Sequence, residues 1–182
     1  MRGIEHAVML AAVSILLSGG TAHAKDLSGR IGVGALQTVG GVSGISARFQ
    51  ATPKIGVQTV VNLGVASPDG EDFGYGVGLG LRGLYSIIDA GDFNGSVGLG
   101  VDFAYQNFGG SLMQFGFHVP VRMEYFFTNW FALNLEMGLR FNIVGDDGQL
   151  LNAPGNGLLA GKGFGVDLNH TLFGGGGFSF YF

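Results

Sequence analysis

The feature that most constrains this chain is a strict alternation of apolar and polar residues between positions 115 and 143. One face of its first stretch carries Phe115, Phe117, Val119, Val121, Met123, Tyr125 and Phe127. The residues between them are small, polar or charged, apart from Pro120 and Phe126. After Thr128 and Asn129 the alternation resumes and continues to Ile143. Because successive side chains of a β-strand point to opposite faces, the pattern predicts two strands joined as a hairpin.

The same period recurs along the chain and predicts eight strands, most of them about ten residues long. Their expected bounds are 27–36, 45–50, 55–66, 73–87, 95–106, 112–127, 130–143 and 173–182. Eight strands make the smallest antiparallel barrel of the transmembrane class, and strands of about ten residues suit a tilted membrane crossing. The sequence therefore predicts an all-β fold, a transmembrane antiparallel up-and-down β-barrel. With its first strand rising from the periplasm, one external connection is long, Gly145 to Gly163.

The charged residues share the face opposite the apolar stripes. All arginines after residue 25 obey this rule, and so do three carboxylates of the predicted strands: Arg30, Arg48, Arg82, Arg122, Arg140, Asp102, Glu124 and Glu136. A Lys or Arg facing lipid costs about 2–4 kcal/mol at the bilayer midplane. An unpaired charge inside a narrow barrel is also costly, so these groups and His118 are expected to form a paired polar network. Such a network closes the lumen, and a charged constriction in a narrow channel is the alternative.

The first 24 residues match a secretory signal peptide. Arg2 lies in a short basic region, residues 7–17 form an apolar run, and Ala22-His23-Ala24 is a small-x-small cleavage site. The run is too short for a transmembrane helix, which needs about 20 residues. We therefore expect residues 1–24 to be removed and residues 25–182 to form the barrel. The sequence has no cysteine, which excludes disulfides, Cys-based metal sites and a lipid-bearing Cys.

Aromatic residues are concentrated where a membrane interface is expected. Four of them flank a predicted periplasmic turn and are expected to form an aromatic belt: Tyr125, Phe127, Trp130 and Phe131. Near the C-terminus, Phe178, Phe180 and Phe182 share one face by the period of two. That face suits lipid, while Phe126 and Tyr181 are expected to point inward.

The C-terminal residues also resemble the assembly signal of bacterial outer-membrane proteins. That signal places a Gly, two spacers and two hydrophobic residues separated by one position, here Gly177, Phe180 and Phe182; Phe178 is one of the spacers. Gly175 stands where a polar residue is usual. Together with the alternation and the leader, the chain resembles the OmpX and OmpA-transmembrane-domain group of small outer-membrane proteins over its whole mature length.

This resemblance implies the outer membrane of a Gram-negative cell envelope. It also implies contact with outer-membrane lipid and lipopolysaccharide, and insertion by the outer-membrane assembly machinery. It carries no motif specific for an activity. Nucleic acid binds to clustered Lys and Arg, and the net charge of −4 does not indicate such a basic surface.

Two motifs resemble catalytic or cofactor sites but lack the required context. Residues 78–83 match the GxGxxG pattern inside a predicted strand, whereas a dinucleotide site needs a strand-to-helix turn. His118 faces the same side as Glu124, but Pro120 occupies the position where a lipid-A deacylase would carry its Ser. His170 is expected to point outward. The acidic clusters at 69–72 and 146–147 lack the ligand spacing of a calcium loop, so no catalytic residue, cofactor or metal is expected.

The sequence thus favours a closed, polar-packed barrel that acts as a structural or surface-interaction protein and not as an enzyme. An extracellular partner, if there is one, is expected to bind the Gly145 to Gly163 loop. The glycines of the fourth strand make room for inward side chains. They also leave two alternatives, a narrow channel or a carrier of a small apolar ligand; a lipid-A-modifying enzyme is less favoured.

We predict that deleting Phe182 slows insertion into the outer membrane, because Phe182 belongs to both the assembly signal and the lipid-facing stripe. The periplasmic chain should then be degraded. Surface-exposed protein, quantified by protease shaving of whole cells, should fall. Equal surface levels of the truncated and full-length proteins would contradict the assignment.

Overall fold

The chain folds into antiparallel strands, as described by a computed structural model for residues 26–66, 73–107, 111–145, 163–168 and 174–182. The strands are β1 (Ile31–Gln37), β2 (Ser43–Gln50), β3 (Ile55–Ala66), β4 (Gly74–Ala90), β5 (Phe93–Asn107), β6 (Ser111–Phe126), β7 (Phe131–Gly145), β8 (Gly163–Leu168) and β9 (Gly175–Tyr181). None of the described residues belongs to a helix long and apolar enough to cross a membrane. The expected signal peptide lies outside the described residues.

The strands close into a ring. Each strand from β1 to β7 pairs with the next one, and β9 pairs with both β7 and β1. β8 and β9 share one position in the wall, because β8 lies beside Leu139–Val144 of β7 and β9 lies beside Phe131–Glu136. The barrel therefore has eight strand positions in up-and-down order, and the predicted closed, eight-stranded, antiparallel fold is confirmed.

The largest departure from the predicted strands is in the eighth position. Leu168 and Gly175 are seven residues apart, but their partners on β7, Leu139 and Glu136, are only three apart. The eighth strand is therefore interrupted between β8 and β9. The sequence predicted this strand only from residue 173, whereas residues 163–168 also pair with β7 in the wall. A β-bulge at Ser86 and Ile88 also lengthens β4 beyond its predicted end at residue 87.

The barrel is apolar outside and polar inside. Leu63, Val65 and Leu99 are the extreme cases on the outer face, each more than 70% exposed. Inside, the side chains of Arg122 and Glu136 are fully buried. A soluble protein buries its apolar residues and leaves Arg and Glu at the surface, so the polarity of this fold is inverted.

The seam where β1 meets β9 depends on glycines. A Cβ on Gly34 would lie 1.8 Å from the carbonyl oxygen of Phe178, and a Cβ on Gly177 would lie 2.1 Å from that of Ala35. Neither distance is compatible with a real side chain. The two backbones approach so closely because neither residue has a side chain, which gives Gly177 a structural role in closing the ring.

The wall of the barrel is lower at β1 and β2 than elsewhere. β2 pairs with β3 only as far as Val61, so residues 62–66 of β3 pair only with β4 in the described part of the chain. On the other side, β1 pairs with β9 only up to Gln37. The connection between β1 and β2, residues 38–42, is called the first turn below. It folds over the lumen with Val39 fully buried, and its Val42 packs with Leu36 and Val60.

We predict that Gly34→Ala destabilises the barrel by about 1–3 kcal/mol, the usual cost of forcing a methyl group into a packed interior. Gly64→Ala is the matched control, because a Cβ at Gly64 meets no atom within 4 Å. The control should change stability by no more than about 0.5 kcal/mol. Reversible urea unfolding of the refolded protein in lipid or detergent measures both. Equal stabilities of the two variants would contradict the role of the seam.

Candidate functional site in the lumen

Five charged side chains form a continuous line inside the barrel, called the ion-pair ladder below: Arg48, Glu124, Arg122, Glu136 and Arg82. Glu124 binds Arg48 through Oε2 and Arg122 through Oε1, each at 2.8 Å. Arg82 donates to Glu136 Oε2 at 2.6 Å, and Arg122 lies 3.7 Å from Glu136 Oε1. All five side chains are at most 1% exposed, so the ladder is enclosed by the wall.

Neutral polar groups complete the ladder. The Oε1 atom of Gln58 accepts hydrogen bonds from Arg82 Nη2 at 2.8 Å and from Arg122 Nη1 at 2.5 Å, and so joins the two arginines. Tyr181 donates to Glu124 Oε1 at 2.7 Å, and Gln50 accepts from Arg48 Nη2 at 2.8 Å. These partners occupy donors and acceptors that would be costly to bury alone.

The ladder is closed off at the end of the barrel that carries the turns 51–54, 91–92 and 127–130, called the short-turn end. Leu27, Phe126, Ala132 and Tyr181 form a buried apolar cluster there. The rings of Phe126 and Tyr181 lie 5.5 Å apart. The lumen at this end is therefore filled by side chains.

On the other side of the ladder, the first turn contacts Asp102 and His118. Thr38 Oγ1 donates to Asp102 Oδ2 at 3.0 Å. Asp102 Oδ2 also lies 3.4 Å from His118 Nδ1, but neither ring nitrogen of His118 hydrogen-bonds to a described residue. A Cβ on Gly40 would overlap Asp102, and a Cβ on Gly100 would lie 2.3 Å from His118 Nε2. His118 is thus enclosed by backbone and is not the hydrogen-bonded lumen His that the sequence suggested.

Two of the predicted lumen residues, Arg30 and Arg140, lie outside the ion-pair ladder. Arg30 was expected in the network, but it is half-buried before the start of β1 and its Nη1 donates to the carbonyl oxygen of Asn129 at 2.9 Å. The side chain of Arg30 therefore lies at the rim of the barrel. Position 30 faces inward by the period of two, but the paired part of β1 begins only at Ile31. Arg140 is buried and lies opposite His118 in the register of β6 and β7.

The aromatic residues singled out in the sequence form one patch at the short-turn end. Trp130 stacks on Phe180 with ring centroids 5.7 Å apart, and Phe131 lies 5.2 Å from the same ring. The remaining neighbours in the patch are Phe178 beside Phe180, Phe127 beside Phe131, and Tyr125 beside Phe127. The pairing of Phe131 with Phe180 across β7 and β9 brings the two groups together. Phe182 is 80% exposed on the outer face.

Sequence reasoning missed the neutral members of the site. Gln50 and Gln58 have the same inward parity as the arginines, which is a signal that could have identified them. Thr38 was assigned to a loop, and nothing in its local sequence indicates that the loop turns into the lumen. His170, the acidic clusters at 69–72 and 146–147, and residues 146–162 lie outside the described residues.

Above the first turn is a cavity of about 130 Å³, called the vestibule below. Its wall includes residues without bulky side chains, Gly76, Gly78 and Ala104, and the polar residues Asn62, Asp102, Gln106 and Gln114. Asp102 is 2% exposed, and its Oδ1 has no hydrogen-bond partner among the described residues. In the described ranges no three His, Cys, Asp or Glu residues lie close enough to hold a metal ion.

A second cavity of about 390 Å³ lies on the outer face beside the low part of the wall. This outer groove is lined by Gly44, Ile45, Ala47, Thr59, Val61, Asn62 and Leu63. Asn62 lines both the outer groove and the vestibule. Its side-chain amide donates to the carbonyl oxygen of Ser43, at the point where β2 stops pairing with β3.

No protein-family model matches the chain, and no curated protein sequence matches it.

We predict that Glu124→Gln destabilises the barrel by about 3–5 kcal/mol, because the substitution leaves Arg48 and Arg122 buried without their shared carboxylate. Tyr181→Phe is the matched control, since it keeps every charge and removes two hydrogen bonds, one to the same carboxylate and one from Arg48 Nη1, at about 1 kcal/mol each. Urea unfolding followed by the single tryptophan, Trp130, reports both. Equal effects of the two substitutions would contradict the ladder's role.

Proposed function

We propose that this protein is an integral bacterial outer-membrane β-barrel of the OmpX and OmpA-transmembrane-domain type, with a closed polar lumen and a structural or surface-interaction role. The observation that carries the proposal is the inverted polarity of the barrel. Large apolar side chains cover the outer face while the ion-pair ladder fills the inside.

A lipid environment accounts for this distribution. Apolar side chains on the outer face lose contact with water when hydrocarbon surrounds them, at roughly 25 cal/mol per Å². A closed antiparallel ring also gives each of the eight positions a paired neighbour on both sides, and the hydrocarbon region requires such pairing of a spanning structure. In the proposed orientation the short-turn end faces the periplasm, and the vestibule opens toward the outside.

The packing of the lumen favours a closed barrel over the channel alternative. A solute crossing the barrel would have to displace the apolar cluster at the short-turn end, then the ladder, then the first turn. Each of these layers is held by buried contacts, and breaking a buried ion pair costs several kcal/mol.

The geometry around His118 supports a non-enzymatic role. Its Nε2 lies against Gly100 and its side chain is fully buried. A general base must come within hydrogen-bond reach of the proton that it removes, and this ring has no room for a substrate. The surroundings of His118 therefore do not favour the enzyme alternative.

The interaction role is assigned to the Gly145 to Gly163 connection. Gly145 ends β7 and Gly163 begins β8, so the two strands that hold this connection belong to the wall. Recognition residues concentrate in loops held by a rigid scaffold. An extracellular partner is therefore expected to bind there.

We predict that the protein is recovered in the outer-membrane fraction, resists carbonate extraction and migrates differently on gels before and after boiling. In planar bilayers the purified barrel should give no discrete conductance steps, because three packed layers obstruct the lumen. Steps whose size changes in Arg82→Ala would contradict the closed lumen. Extraction by carbonate would contradict the membrane location.

A further inference from the structure

We propose that the vestibule and the outer groove form one binding site for an amphipathic molecule with a single alkyl chain and a small uncharged head that donates hydrogen bonds. The head occupies the vestibule, and the chain passes Asn62 into the groove. The proposal rests on the proposed function, since the outer leaflet of the membrane supplies such molecules to the groove.

The vestibule has the chemistry of a site for a hydrogen-bond donor. Asp102 is buried, and while its Oδ2 accepts from Thr38, its Oδ1 has no described partner. The Oδ1 atom is itself buried on the Gly80 side of the carboxylate, so it gains a donor only from a ligand hydroxyl or amide N–H that draws the side chain toward the vestibule. Because a buried carboxylate oxygen without a donor is costly, such a ligand gains affinity. The other polar residues of the wall, Asn62, Gln106 and Gln114, are neutral and can donate or accept.

Charge argues for an uncharged head. Among the described residues of the vestibule wall, Asp102 is the only carboxylate and none is Lys or Arg, so an anionic head would meet a like charge there. A cationic head would have to lose its water beside a carboxylate that already accepts a hydrogen bond from Thr38, and the attraction within a buried charge pair often does not repay that cost. A head with hydroxyl groups avoids both penalties.

The size of the cavity sets the size of the head. An engineered cavity of roughly 150 Å³ holds benzene, so the vestibule, at about 130 Å³, suits a head of similar size. Glycerol has about as many non-hydrogen atoms as benzene. The absence of side chains at Gly76 and Gly78 creates the space on one side.

The outer groove suits the alkyl chain. Its wall is apolar except for Thr59 and Asn62, and the small side chain of Ala47 lies between the larger Ile45 and Phe49 on the outer face of β2. In the described residues no strand pairs with β3 beyond Val61 on its β2 side, so the wall between groove and vestibule is low at this point. Asn62 borders both cavities, which makes the two spaces neighbours across a single side chain.

Photolabelling in phosphatidylcholine nanodiscs tests the proposal. The probe is a monoacylglycerol with a diazirine in its acyl chain, and the comparison probe is the fatty acid with the same chain. Mass spectrometry should locate monoacylglycerol adducts on the stretches 44–47 and 59–63. The fatty acid, whose carboxylate would face Asp102, should label these stretches less.

Two substitutions fill the two halves of the site. Ala104→Leu fills the vestibule and Ala47→Phe fills the groove, and each should lower labelling of these stretches roughly tenfold, because added bulk in an occupied cavity is unfavourable. Val101→Leu adds bulk to β5 outside both cavities and should leave labelling unchanged. Asp102→Asn keeps the shape but removes the charge, so it should lower the ratio of monoacylglycerol to fatty-acid labelling.

Uniform labelling of all outward faces would indicate annular lipid and overturn the proposal. So would a loss of labelling in Ala47→Phe alone, because the head would then contribute nothing. If Ala104→Leu fails to fold, judged by its unboiled gel mobility, an unchanged probe ratio in Asp102→Asn overturns it instead. The nanodisc assay does not depend on cellular location, so a protein absent from the outer-membrane fraction but labelled as expected would refute the proposed function and leave the binding site standing.

Discussion

Closure of the hydrogen-bonded ring at β1 and β9 is the constraint on which the rest of the structure depends. A sheet with an apolar outer face cannot leave a strand edge open in hydrocarbon, because no water is present to bind the free N–H and C=O groups. At this seam Gly34 and Gly177 let the two backbones approach to distances that a side chain would prevent. The run of glycines before Phe178 therefore serves the geometry of the seam.

Closure with eight strands leaves a narrow interior, and the ion-pair ladder follows from it. Room for side chains and little else remains inside a barrel of this size, so inward charges must contact one another. The ladder places each carboxylate between two guanidinium groups. Replacing such a buried network by apolar residues is often neutral or stabilising. The role that we assign to the ladder is therefore specificity, because its ion pairs select one arrangement of the lumen side chains.

Much of this arrangement could be predicted from the sequence, because the period of two sets which face each residue takes. The bounds of β3 and the inward direction of Arg48, Arg82 and Arg122 follow from that period alone. Pairing partners do not, since parity says nothing about which inward residues meet across the lumen. Arg30 shows the limit of the method: its parity is inward, but strand pairing stops before it.

The departures from regular strands could not be predicted from the sequence either. The interruption between β8 and β9 depends on register, and the inward fold of the first turn depends on a contact between Thr38 and Asp102 that are far apart in the chain. The first turn closes the lumen locally, and its residues 40–42 form part of the vestibule wall. The features that distinguish this barrel from a plain cylinder are therefore those that alternation cannot reveal.

The central claim is that the outer face of the barrel contacts lipid around its circumference while the lumen is closed. Because the chain has no cysteine, single spin labels can be placed at Leu79, Leu99 and Leu139, on outward positions of three strands, with Asp92 in an exposed turn as the reference. In reconstituted bilayers the three strand labels should be accessible to oxygen and inaccessible to a water-soluble nickel chelate, and the label at position 92 should show the reverse. Nickel access at the strand positions equal to that at position 92 would contradict the account.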